Sequence, residues 1–125
     1  PPLPDWLLTG AVANFTTLSD SLGDVRTIVQ NTQSGAYVLL VGDSGKHISI
    51  STGGVTVPAS VFSAGQAVTI YNNSGSSQTL TQGTSVTLRL AGTATTGNRT
   101  LAQYGVATVL CVGSNTFVIS GGGLT

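Results

Sequence analysis

Side chains able to do acid–base, nucleophilic or metal chemistry are few in this chain. There is one histidine, His47, and one cysteine, Cys111; the acidic residues are Asp5, Asp20, Asp24 and Asp43, with no glutamate. A zinc site takes three or four His, Cys or carboxylate ligands, and a nucleophilic triad needs a histidine base. His47 alone, beside Lys46 at a strand start, supplies neither and is expected to be an exposed or hydrogen-bonded structural residue. Gly42-Asp43-Ser44-Gly45 matches the string around the nucleophile of trypsin-like proteases, but there is no second histidine and the chain is far too short. Asp and Gly are favoured in turns, so the string reads as a turn. Asp20 and Asp24 are spaced as a carboxylate pair for glycoside hydrolysis would allow, yet they sit in a polar turn. Cys111 lies in an apolar run and is expected to be a buried small hydrophobe. No phosphate loop or dinucleotide fingerprint is present. The triplets starting at Asn14, Asn72 and Asn98 match the glycosylation pattern, as chance supplies in a chain rich in Asn, Ser and Thr. The expectation is a protein that is not an enzyme and has no cofactor and no metal site.

Charge narrows the partners. Only 6% of the 125 residues are charged, against about 25% in an average soluble domain. Lys46, Arg26, Arg89 and Arg99 are the whole basic complement, and net charge is zero. Four cations cannot build a phosphate-binding patch or a polybasic membrane-surface helix, so neither nucleic acid nor membrane is expected. No apolar run approaches the ~18 residues of a spanning helix, and no basic-then-apolar secretory signal opens the chain. A surface this neutral is expected to lie against other protein in an assembly.

The elements that position these residues read as β. Ser and Thr make up about a quarter of the chain, with 17 Gly. Val25 to Gln30 is rich in β-branched residues. A turn over residues 31–35 leads into a strand over residues 36–41, and residues 47–51 alternate with Ile48 and Ile50 on one face. Val55-Thr56-Val57 is ended by Pro58, and residues 59–62 read as one helical turn. Two hairpins follow from the Asn/Gly turn chemistry: residues 67–81 around Asn72–Ser77, and residues 105–120 around Gly113-Ser114-Asn115. Residues 106–112 are apolar on both faces except Thr108, which predicts a strand covered on both sides. Strands of this number and spacing predict an all-β, antiparallel β-sandwich, jelly-roll-like. Its core draws on Val25, Ile28, Leu39, Val41, Ile48, Ile50, Val55, Val57, Phe62, Val68, Ile70, Val86, Leu88, Leu90, Leu101, Val106, Val109, Leu110, Phe117 and Ile119. Arg89 alternates with Leu88 and Leu90 and so points away from that core, as a surface residue or as an interface partner of Asp43 or Asp24.

Residues 1–22 are different in kind. Pro1, Pro2 and Pro4 impose extended backbone, and Trp6, Leu7, Leu8 and Phe15 follow at neither helical nor alternating spacing. The segment reads as an extended N-terminal arm with one short helix between Thr16 and Leu22, ahead of a β-domain over residues 23–125. Trp6, Leu7, Leu8 and Phe15 are its candidate partner-interface residues, because large apolar side chains dominate interface energetics. Pro1 fits a start from which an initiator Met was trimmed, and 125 residues then make the whole protein.

Several strings resemble one family. Gly23-Asp24-Val25-Arg26-Thr27-Ile28-Val29-Gln30, Tyr37-Val38-Leu39, Asp43-Ser44-Gly45-Lys46-His47-Ile48 and Val55-Thr56-Val57-Pro58-Ala59-Ser60-Val61-Phe62-Ser63-Ala64-Gly65 are similar to a domain common in tailed-bacteriophage virion proteins. Residues 87–99 and Phe117-Val118-Ile119-Ser120-Gly121 are similar to it as well. The resemblance covers residues 23–125 and brings no catalytic residue. It implies a β-sandwich module of the virion, found in fibre-like, appendage and head-associated proteins. With the apolar arm and the low charge, the expectation is a capsid decoration (cement) protein that stabilises the shell, located in the virion. Its expected partners are the major capsid protein or another virion subunit and its own copies in a homotrimer. The alternatives are a tail-fibre or other appendage component that binds the host receptor, and a connector or baseplate piece.

Overall fold

From Gln30 onward the chain winds back and forth between two wings. The computed structural model describes residues 18–125, and they are all-β. A small hairpin, β1 (Ser19–Asp20) with β2 (Gly23–Asp24), leads in. Then β3 (Gln30–Gln33), β5 (His47–Ile50) and β7 (Ala67–Asn72) lie side by side and parallel in one wing. In the other wing β4 (Tyr37–Val38), β6 (Val55–Val57) and β8 (Gln78–Gln82) do the same. Each wing-to-wing pair is one coil, and three coils stack. After β9 (Thr87–Leu90), the long strand β10 (Arg99–Gly113) joins the wings. Its start pairs with β8 and its later residues with β7, both antiparallel. Last, β11 (Thr116–Leu124) runs antiparallel along β10 and takes β9 as a parallel neighbour. One nine-stranded mixed sheet thus folds nearly into a barrel.

The register explains the core. Inward columns cross the coils: Asn31, Ile48, Ile70 and Ala107 in one wing, and Tyr37, Val55 and Leu80 in the other. Strand side chains alternate, so every second residue joins a column. Ile48, Ile50, Ile70, Leu80, Leu88, Leu101 and Ile119 are fully enclosed, and Phe62 packs edge-on against Phe117 at 6.1 Å between ring centres. Successive coils come close together at the corner before β6. There Gly53 has φ +89, and a Cβ on it would collide with the backbone of Gly35 and Ala36 in the preceding coil. Only glycine fits that approach.

Several expectations are corrected. The pairing is mixed, with five parallel partnerships, rather than wholly antiparallel. Residues 67–81 are not a hairpin: β7 and β8 belong to different wings and the Asn-rich segment turns a corner. The second expected hairpin is present as β10–β11, with Asn115 at φ 48 in its turn. Asn31 to Gln33 form β3 instead of a turn, and Ser19–Asp20 are strand instead of helix. Residues 59–62 hold no helical turn; Ser60 has φ 62. Val25, Ile28 and Val41 are exposed, because the first coil starts only at Gln30 and Val41 lies in a 3-10 turn, Val41–Asp43. Val106 and Leu110 are exposed too, because β10 is covered on one face only. Leu80 and Ala107 join the core in their place.

Candidate functional site

A polar cluster closes the open end of the first coil. Asn31 stands in the column of Ile48 and Ile70, and Tyr37 in that of Val55 and Leu80, so the first coil turns polar side chains where the next two turn apolar ones. Between them the 3-10 turn brings in Asp43, which is 3% exposed. Asp43 Oδ1 accepts from Asn31 Nδ2 at 2.8 Å. Its Oδ2 accepts from the Tyr37 hydroxyl at 2.6 Å and from the Leu40 backbone N–H at 2.8 Å. Asn31 Nδ2 gives its other hydrogen to Tyr37 Oη at 3.0 Å, and Asn31 Oδ1 accepts from Gln33 Nε2 at 2.8 Å. Three donors converge on a group that, as a carboxylate, only accepts. They replace the water that burial removes. Burial, and then the hydrogen bond to Asp43, push the Tyr37 phenol above its ordinary value of 10.0. Tyr37 therefore keeps its proton and serves as a donor; a phenol held this way is a weaker acid than a free one. The cluster fastens the first corner and leaves Asp43 no free oxygen for a substrate.

A second polar knot holds the far corner. Asn72 is fully buried; its Nδ2 donates to the carbonyls of Ser76 (2.7 Å), Ala102 (3.0 Å) and Leu101 (3.1 Å), and its Oδ1 accepts from Ser74 Oγ (2.7 Å). Gln78 accepts from Gly54 N–H at 3.0 Å and donates to the Ser51 carbonyl at 3.2 Å. These two amides tie β7–β8 to the coil before and to the bend of β10, where Tyr104 has φ 54.

The sequence-read candidates separate as follows. Trp6, Leu7, Leu8 and Phe15 lie outside the described residues. His47 is half-buried and its Nδ1 donates to the Ile28 carbonyl at 2.9 Å, which makes it a structural tie. Asp20 and Asp24 share a cleft of about 210 Å³ with Lys46, and each accepts a backbone N–H two residues on, from Leu22 and Arg26. They act as turn formers. Asp43 is likewise committed within its own chain, so it is not a partner for Arg89. Cys111 is buried, with Sγ 3.2 Å from the Gly113 carbonyl. Among the described residues no group of three or more His, Cys, Asp or Glu side chains could hold a metal ion, and no helix is long and apolar enough to cross a membrane. The Asn31–Tyr37–Asp43 grouping was missed because residues 31–35 read as a turn. The signal was present: Gln30-Asn31-Thr32-Gln33 repeats the alternation of His47-Ile48-Ser49-Ile50 with amides in place of isoleucines.

Two surface features remain. Leu40, Val41 and Val61 line a shallow depression of about 660 Å³ beside the first corner. The outer side of β10 carries Val106, Leu110 and Val112, all exposed, while Ala107, Val109 and Cys111 on its other side are buried. No family model, no curated protein and no solved structure matches this chain.

Proposed function

We propose that this chain is a structural protein of a tailed-bacteriophage virion, acting as a capsid decoration protein that stabilises the assembled shell. The observation that carries the reading is how the polar side chains are spent. Asp43, Asn31 and Tyr37 fasten the first corner, Asn72 ties β7 to β10, Gln78 ties β8 to the coil before, and every buried side-chain N or O among the described residues has a partner within the fold. Such a body is a stiff platform. In this reading its two wings act as the layers of a sandwich-like body, the form implied by the resemblance of residues 23–125 to phage virion modules. The arm, with Trp6, Leu7, Leu8 and Phe15, is the anchor to the major capsid protein or another virion subunit, and the copies stand as a trimer. Binding only the assembled shell lowers the free energy of that state by mass action.

The test uses particles with and without the protein. Particles carrying it should survive higher temperature than particles lacking it. Trp6→Ala in the full chain should weaken particle binding about thirtyfold, the equivalent of about 2 kcal/mol at a hot spot. Full occupancy by the Trp6→Ala chain refutes the anchor. Particles that lack the protein, keep their heat stability and fail to adsorb to host cells would replace the decoration role with receptor binding.

A further inference from the structure

The two ends of the coil stack are finished differently. At the last coil, β10 pairs with both β7 and β8. At the first coil, β3 and β4 are edge strands, each with one sheet neighbour among the described residues. Tyr37 and Leu39 turn their N–H groups to the carbonyls of Gly54 and Thr56, so the backbone of Val38 between them faces the open side. Apolar side chains gather there too. Val38, Leu40 and Val41 are each more than half exposed. Leu40, Val41 and Val61, with Gly42 and Ser60, line the depression beside the first corner. A terminal coil is ordinarily capped, and an edge is ordinarily covered or guarded by charge. Neither β4 nor the lining of the depression carries a charge.

The segment that precedes the first coil enters beside this surface. The Leu18 carbonyl accepts from Val25 N–H at 2.8 Å, and Val25 shares a cleft with Ser44 and Gly45. Ser44 N–H donates to the Val41 carbonyl at 3.2 Å. Residues 1–17 therefore join the fold one cleft and one turn away from the depression. Extended chain spans about 3.3 Å per residue, so Trp6 can reach about 40 Å from Leu18 and Phe15 about 10 Å. The chemistry matches as well as the reach. No charged residue stands from Trp6 to Ser19, and Trp6, Leu7, Leu8 and Phe15 are large and apolar.

We infer that in the free chain Trp6-Leu7-Leu8 docks in this depression of its own domain and covers the open side of the first coil. A depression of about 660 Å³ lies in the range of sites that hold a drug-sized ligand, and so takes an indole with a leucine beside it. Tethering selects the chain's own arm. A segment on a short linker acts at about millimolar effective concentration, well above a second copy at micromolar. The inference concerns the free chain and does not rest on the virion reading. Where that reading holds, the shell has to draw the arm out of the depression, and the docked arm restrains binding until a shell is present.

Trp6 is the chain's one tryptophan, so its fluorescence reports on the arm alone. In the unaltered full chain, its emission should lie at shorter wavelength than in the same chain unfolded in urea, and acrylamide should quench it less. Both readings should be the same at micromolar and at tens of micromolar protein. Leu40→Asn with Val41→Asn should weaken docking at least about tenfold and return Trp6 toward the urea values. Both positions are more than half exposed, so circular dichroism should show the β-domain intact. Leu110→Asn, on the outer side of β10, should change nothing. Should the paired variant lose its β signal, nuclear Overhauser contacts from the Trp6 indole to the methyls of Leu40, Val41 or Val61 in the unaltered chain decide instead, and their absence overturns the inference. A Trp6 as open to acrylamide in the folded chain as in urea overturns it, as does shielding that survives the paired variant. Shielding that follows Leu110→Asn would place the arm on β10, and shielding that grows with concentration would make the occupant a neighbour's arm; either refutes docking in its own depression. No particle enters this experiment, so its failure leaves the decoration reading standing, and failure of the particle test leaves this one standing.

Discussion

Asp43→Asn changes one atom and tests the polar cap directly. Asp43 accepts three hydrogen bonds, one on Oδ1 from Asn31 and two on Oδ2 from Tyr37 and Leu40. An asparagine has one oxygen for both positions. The better placement keeps that oxygen toward Tyr37 and Leu40, and then its NH2 faces the NH2 of Asn31. One bond is lost and two donors confront each other. Leaving a buried donor without a partner costs about 1–3 kcal/mol. The end of the stack is only half closed, since Asn31 and Tyr37 are half-buried, so water offsets part of this. The expected loss is about 2 kcal/mol, which for a domain of this size lowers Tm by roughly 6–10 °C. Urea unfolding followed by circular dichroism reads the free energy, and a thermal scan reads Tm. A Tyr37→Phe, Asp43→Asn double-mutant cycle should show coupling, because the two side chains share a bond. If Asp43→Asn is as stable as the unaltered chain within about 0.5 kcal/mol, the surface-substitution range, the cluster is not the fastener described above.

Gly53→Ala should cost about 3 kcal/mol or more by urea titration, since left-handed backbone and a collision with the previous coil add together. Asn72→Leu keeps the volume but orphans the Leu101 and Ala102 carbonyls; it should destabilise by about 2–4 kcal/mol in the same assay. Tyr37 gives a pH dependence with a definite sign. Its folded pKa is raised, so its contribution is complete below pH 10.0 and fades as pH climbs from there through the folded value. Tyr37→Phe should remove that part of the alkaline loss, measured as urea midpoints between neutral pH and pH 11.

The β class was legible because alternation is local: Ile48 and Ile50, Val55 and Val57, Val68 and Ile70 each announce a buried face within a few residues. Direction of pairing is not local. A turn built from Asn72, Asn73, Ser74 and Gly75 has the same chemistry whether the chain returns beside itself or passes to a second wing. What separates the cases is the inward course of Asn72, whose amide is spent on the bend of β10 thirty residues later. The polar first coil was hidden for a related reason. Asn31, Gln33 and Tyr37 look like loop residues until they are set in register beside Ile48, Ile50 and Val55. The exposure of Val106 and Leu110 was hidden because an apolar residue on an outer face and one in a core are the same letter.

A stack of coils has two ends and two flanks, and each must be closed against water or against another molecule. The first end is closed by the polar cap of Asn31, Tyr37 and Asp43. The last coil is closed by β10, which pairs with both β7 and β8. Of the described charges, Arg89 stands in register beside Val118 of β11. Asp20, Asp24 and Arg26 sit in and beside the lead-in hairpin, Asp43 and Lys46 at the first corner, Arg89 in β9 and Arg99 at the start of β10. Edges of sheets that stay in water are ordinarily guarded by lysine or another charge. The outer side of β10, with Val106, Leu110 and Val112 exposed, has its nearest strand-borne charge across β11, at Arg89 of β9.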